Sequence, residues 1–184
     1  MVASSVLSAR IAQSIYVLAG VWIAACTPLG VEKTAEALRN VMVKSSWTAN
    51  GTAQLRNGEY REQAAPGSAI EVFVQLGPLI SEAQVDNRDM AAAVIITNAG
   101  GSGTFNDLVL FVRRRGEWQN ADLVPLGDRV KVEALRLTEG QVIVELIVHG
   151  PRDPLCCPTQ RVTRRFELKG ERLIAVNQNK ENVP

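Results

Sequence analysis

Two cysteines stand side by side at Cys156-Cys157, inside "GPRDPLCCPTQR" (150–161), and the chain has one other, Cys26. Thiols can ligate metal, exchange electrons or accept lipid, and the compartment decides which chemistry they meet. A closed zinc site takes about four ligands. With Cys26 assigned to lipid attachment, only Cys156, Cys157 and His149 offer sulfur or nitrogen, so no metal or other cofactor is expected. His149 is the sole histidine. Any serine or cysteine triad would have to use it, and its place at the end of an apolar run suits a structural histidine as well.

Cys26 has a different setting. The first 25 residues carry one charge, Arg10, followed by "IAQSIYVLAGVWIAA" and then the cysteine. A basic start, an apolar stretch and small residues before a break are the parts of a secretory signal. Ile23-Ala24-Ala25-Cys26 reads as a lipobox, in which small side chains admit the peptidase and the thiol takes up a diacylglycerol. Residues 1–25 are therefore expected to be a lipoprotein signal, with Cys26 as the lipid-bearing residue. The alternative is an uncleaved anchor, because the apolar segment approaches the roughly 20 residues that span a bilayer. Both readings place the remainder on a membrane, outside the cytoplasm.

The other chemical candidates are weaker. "NAGGSGTF" (98–105) has three glycines in four residues, but a phosphate loop needs a helix after it and usually a Gly-Lys-Ser/Thr ending. Here no lysine is present and "DLVLFV" follows, which reads as strand. Ser102 lacks the glycine two places on that a nucleophile elbow requires. The loop is expected to be a flexible or bulged turn between core strands. Gly101, Ser102 and Gly103, with Asp128 and Arg129, are retained as candidate binding residues. Asp86, Asp89, Glu117, Asp122 and Asp128 fall mostly in turns, with no pairing to be inferred. "RRRG" (113–116) is a solvated hairpin tip that a tethered protein could also press against acidic lipid head groups or a partner.

The elements that must carry these residues are mostly strands. One helix is expected over 31–43, from Ala35, Leu38, Val41 and Met42 at helical spacing among good helix formers. Thereafter the period is two. Residues 52–62 read as two arms around Asn57-Gly58, a strong hairpin signal; 69–77 alternate and are closed by Pro78; 90–97 and 105–114 are apolar enough to be central. The segments 117–127, 129–139, 141–150 and 160–170 complete the series. Strands joined by short turns with no intervening helices predict an α+β, mainly β fold with a largely antiparallel sheet. The division is a signal or anchor at 1–25, a tether and helix at 26–46, a β-rich extracytoplasmic domain at 47–176 and a disordered polar tail at 177–184. The chain has 20 basic and 19 acidic residues, and loss of Arg10 with the signal makes them equal. A nucleic-acid partner would need a basic excess, so none is expected.

Four blocks carry a likeness. "GGSGTF" after an apolar strand, "LVPLGDRV" (123–130), "VIVELIV" (142–148) and "GPRDPLCCPT" resemble the LppP/LprE-like bacterial lipoproteins and their envelope relatives. The resemblance runs from about Trp47 to Ala175, and "GP-x-DP-x-CCPT" is its most specific part. It implies an exported, lipid-anchored β-rich domain with no established enzymatic activity. Many relatives carry an acidic D-x-N-x-D-G loop, which suits calcium. This chain has "QVDNRDMAAAV" (84–94) instead, without the glycine and with Arg88 between Asn87 and Asp89, so calcium is not expected.

Outside the cytoplasm the neighbouring thiols tend to oxidise. Ordinary disulfides hold Cα atoms about 4.4–6.8 Å apart, whereas consecutive residues are about 3.8 Å apart across a trans peptide. A Cys156–Cys157 disulfide therefore closes a small strained ring, flanked by Pro154 and Pro158. Three readings of it stay open: a clasp stiffening a turn, a rigid apolar floor for a ligand or partner, and a redox centre. Two free buried thiols are a fourth. The functional expectation is a non-enzymatic binding or accessory lipoprotein, held to membrane lipid through Cys26, that uses the loops around Gly101 and Cys156 to engage another envelope or membrane protein. The alternative is an extracytoplasmic thiol–disulfide protein working through the pair.

Overall fold

The computed structural model describes residues 29–176; Cys26, the signal or anchor segment and the tail at 177–184 lie outside the described residues. Helix α1 (Leu29–Leu38) is followed by β1 (Met42–Lys44), β2 (Thr52–Gln54), β3 (Glu59–Gln63), β4 (Glu71–Val85), β5 (Arg88–Asn98), β6 (Phe105–Arg114), β7 (Glu117–Asp128), β8 (Lys131–Leu137), β9 (Gln141–Val148), β10 (Gln160–Lys169) and β11 (Arg172–Ala175). The fold is α+β, mainly β, and every strand pair is antiparallel. No helix among the described residues is long and apolar enough to cross a membrane.

The strands form a five-stranded sheet in the order β3-β4-β5-β6-β7, a four-stranded sheet in the order β11-β10-β9-β8, and the β1-β2 pair. The five-stranded sheet is the middle layer. Met90, Ala92, Val94, Leu108, Leu110 and Val112 face the four-stranded sheet and meet Val142, Val144, Leu146 and Phe166 there. The alternate residues Ala91, Ala93, Ile95, Val109 and Phe111 face the other way, against Leu38 of α1 and Val43 and Ala53 of β1 and β2. β5 and β6 are thus buried on both faces. That explains why they read as continuous apolar runs when most antiparallel strands alternate.

Side-chain bonds to backbone close the open sides of the sandwich. Beyond β3, which covers only Glu71–Gln75 of β4, Ser81 Oγ accepts from Leu137 N of β8 at 2.9 Å. At the opposite side Asp122 of β7 accepts from Leu173 N of β11 at 2.8 Å. Asp122 therefore lies within a strand and not in a turn.

Several boundaries differ from expectation for reasons that are not local. The helix stops at Leu38, and Val41 is buried on the way into β1, which pairs with β2. Helical spacing at Val41 and Met42 loses to a ladder that satisfies the backbone. Asn57-Gly58 does form a tight turn, with φ of 54° and 89° as a type I′ turn demands. Its arms nevertheless diverge: β2 joins β1, β3 joins β4, and only Arg56↔Glu59 bridges them. Pro78 does not end its strand. β4 continues to Val85 through an irregularity between Leu76 and Ile80, a bulge where the missing N–H is tolerated. β11 is an additional strand. The "QVDNRDM" stretch is a two-residue turn at Asp86-Asn87 with φ of 48° and 59°.

The strand directions give the sandwich two ends. The turns at Asp86-Asn87, Arg115-Gly116 and Gly170-Glu171 lie at one, beside Lys33 and Thr34 of α1. The glycine-rich loop, the β7–β8 connection and the cysteine loop lie at the other.

Candidate functional site

Of the candidate binding residues, the glycine loop and the β7–β8 connection come together. Arg129 donates from Nε to Ser102 O at 3.1 Å and from Nη2 to Ser102 Oγ at 3.2 Å. Its Nη1 lies 3.0 Å from Asp128 Oδ2, while Asp128 Oδ1 accepts from Thr104 N at 2.8 Å. Arg129 N also donates to Thr104 O, at 2.6 Å. The polar groups bind one another, which makes this a buttressed loop and not a phosphate cradle. Gly101 has open space beside it.

Two other glycines admit apolar groups. A Cβ on Gly100 would fall 2.1 Å from Ile70 Cγ2, and one on Gly103 would fall 2.9 Å from Phe105 Cζ. Phe105 is in turn stacked under Trp47, with ring centroids 3.8 Å apart. The loop is glycine-rich because an aliphatic and an aromatic side chain lie against its backbone. Gly100→Ala is expected to cost about 1–3 kcal/mol, because its φ of +85° disfavours any Cβ and Ile70 must move as well. Chemical denaturation of the purified variant checks this.

The cysteine loop is organised by Asp153. Its carboxylate accepts from Gly150 N at 2.8 Å and from Thr159 N at 2.7 Å, and Thr159 Oγ1 lies 2.9 Å from Oδ1. The bond from Gly150, with those from Thr159, holds this carboxyl below the usual range despite some desolvation. His149 Nε2 donates to Leu155 O at 3.0 Å, since a carbonyl only accepts; the histidine braces the loop. Cys156 and Cys157 are exposed and form a close pair, with Cα atoms 3.8 Å apart. No hydrogen bond or ion pair among the described residues joins this loop to the glycine loop, although both lie at the same end.

At the opposite end a groove of about 450 Å³ runs between α1 and the hairpin tips, lined by Lys33, Thr34, Glu82, Asp89, Arg113 and Trp118. Its charges are largely answered within the protein. Thr34 Oγ1 donates to Glu82, and Arg113 lies 3.9 Å from Asp89. In the "RRRG" tip Arg114 pairs with Glu171, which also holds Arg88 at 3.1 Å. Arg115 is the tip residue without an ion pair among the described residues. No group of three or more metal-ligating side chains occurs among the described residues.

One pair of residues is not singled out by any motif in the chain. Asp107 is 6% exposed and Thr97 fully buried, on the layer that faces α1 and β1-β2. Thr97 lies opposite Phe105, and Asp107 opposite Ile95, so the two are diagonal neighbours. Thr97 Oγ1 has no hydrogen-bond partner, and no described group donates to the Asp107 carboxylate. Burial pushes its pKa up to about 6. The available signal was parity: Asp107 sits between Phe105 and Val109 on one face of an apolar strand.

Compared with protein-family models, with curated proteins and with solved structures, the chain matches none.

Proposed function

We propose that the chain is a membrane-tethered extracytoplasmic lipoprotein, attached through Cys26, that acts as a non-enzymatic binding or accessory subunit of an envelope complex. The observation that supports binding is that three exposed apolar side chains lie at one end of the sandwich. Ile70 is 53% exposed and Leu155 75% exposed, and with Trp47 they belong to the end that carries the glycine and cysteine loops. The start of α1, which follows Cys26 closely in sequence, is at the other end. A tether there leaves the apolar end turned outward. A partner seated on this end would cover them. The likeness of the "GP-x-DP-x-CCPT" block to lipoproteins supports the same reading.

The second reading is thiol–disulfide exchange, supported by the exposure of both cysteines. Affinity purification of the full chain from membranes in mild detergent, as wild type and as Cys156→Ser/Cys157→Ser, separates the two. A stable co-purifying partner retained by the double variant is the expected outcome of the binding reading. Recovery of the wild-type chain alone would end the subunit reading. Thiol-exchange activity in the wild type that vanishes in the variant would establish the redox one. Without reductant, alkylation of the pair is expected to add no mass.

A further inference from the structure

We propose that the open edge of β10, with the groove it shares with β7, docks an extended acidic segment of a partner protein, which adds as a strand along Gln160–Arg165. The proposal rests on the binding reading above, whose partner it describes by its chemistry.

β10 is covered on one side by β9 from Gln160 to Glu167, but on the other by β11 only from Phe166 to Lys169. One more bond, Val176 N to Arg165 O at 2.9 Å, prolongs that contact. Beyond it no described strand lies alongside. Leu168 N donates to Gly140 O at the β9 side, which fixes the parity of the ladder: Leu168, Phe166, Arg164 and Val162 turn their backbone groups toward β9, and Arg165, Thr163 and Arg161 turn theirs outward. Thr163 and Arg161 thus present N–H and C=O groups in the pattern that accepts an added strand. Two of the sheet-edge strands are less open to an added strand. β7 carries Pro125, which has no N–H, and is held at Asp122 by Leu173 N; β8 is held to Ser81.

The charge beside this edge selects the partner. A groove of about 340 Å³ lies between β7 and β10, lined by Val124, Pro125, Arg164, Arg165, Phe166 and Val176, among others. Arg164 is half-buried and donates from Nη1 to Leu126 O at 2.6 Å, a carbonyl exposed by a bulge in β7. Neither Arg164 nor Arg165 has an ion pair among the described residues, whereas nearby Arg161 lies 2.7 Å from Glu133. Burial lowers the pKa of Arg164, the mark of a desolvated cation without a counter-charge. The two side chains point to opposite faces of the strand, Arg164 toward β7 and exposed Arg165 outward, so carboxylates on an added strand would meet each guanidinium on its own face with charge-assisted bonds. The same cations oppose pairing with the equivalent edge of a second copy, and the apolar lining receives alternate side chains of the added strand.

Two end-blocked, fluorescein-labelled peptides of roughly eight residues, about the length of a strand, test this on the full chain in detergent. One alternates glutamate with valine and the other lysine with valine. The glutamate peptide is expected to bind at least about tenfold more tightly, Arg165→Glu to reverse the preference, and the Thr163 and Arg161 amides to exchange at least about tenfold more slowly with peptide bound. Arg165 is exposed, so its substitution leaves the core intact. Equal binding of the two peptides, a preference unaltered by Arg165→Glu, or unprotected amides under saturating peptide would overturn the proposal. So would amides already protected without peptide and released by removing residues 177–184, which would make the chain's own terminus the occupant. A partner that co-purifies equally with Arg165→Glu would refute the docking edge while leaving the binding reading intact. The expected peptide pattern in a chain recovered alone would support the edge and end the subunit reading.

Discussion

Asp107→Asn is expected to make the protein more stable at neutral pH, by about 2 kcal/mol, and to flatten its stability between pH 4 and 6. The wild-type carboxyl is 6% exposed and is pushed from 3.8 to about 6 by burial, with no described donor to offset it. A group whose folded pKa is raised binds its proton more tightly in the native state. Its stabilising influence is complete below the unfolded value and is lost as pH rises toward the folded one. About 3 kcal/mol is lost across that window, since each tenfold difference in proton affinity between the folded and unfolded chain is worth roughly 1.4 kcal/mol. The asparagine variant keeps a buried polar amide, which is why the gain at neutral pH falls short of that figure. Urea unfolding of both proteins across the window reads the result. Equal pH dependence in the two would show that the carboxyl is solvated. Such a group in an apolar strand costs stability that folding alone does not require, which makes Asp107 and its neighbour Thr97 positions to watch when a ligand is sought.

Leu110→Ala and Phe111→Ala are each expected to destabilise severely, by about 2–5 and about 3–5 kcal/mol respectively. Both side chains are fully buried, yet they are sequence neighbours on one strand and point to opposite faces. In a sheet covered on one side, one of the pair would face water and its truncation would cost little. Here Leu110 packs toward the four-stranded sheet and Phe111 toward α1 and the β1-β2 pair. The losses should be close to additive where the two cavities do not share contacts. A cheap Phe111→Ala would mean that α1, β1 and β2 do not form a packed layer in solution. Equilibrium denaturation of the two single variants and the double variant distinguishes these cases.

Much of the ladder was legible in the chain. The spans of β7 to β10 follow from period-two patterning and those of β5 and β6 from continuous apolar runs, each punctuated by turn residues; Arg115-Gly116, for example, takes φ of 53° and 88°, the conformation that a tight hairpin needs. The glycine loop was recognisable as a turn between core strands, because a strand, not a helix, follows it. Its composition was not explicable from sequence. Ile70 and Phe105, the groups that exclude a Cβ at Gly100 and Gly103, belong to other strands or their approaches. The same limit applies to the candidate binding residues. Asp128 and Arg129 close onto Ser102 and Thr104 across a sheet end, a match of backbone and charge that needs three-dimensional registration.

The sequence by itself determined most of the extended segments from 90 to 170, the tight turns at Asn57-Gly58 and Arg115-Gly116 and the largely antiparallel sheet, since these depend on side-chain period and on φ preferences within a few residues. Only the tertiary structure decided which strands share a sheet, that Asn57-Gly58 sends its arms to different partners, that the bulge at Gly77-Pro78 is spanned by one strand, and that β11 covers only the Phe166–Lys169 end of β10. The physical reason is the range of the forces. Turn and strand preferences are local steric terms, whereas burial on both faces of β6 and desolvation of Asp107 and Arg164 exist only after distant segments have removed water from one another.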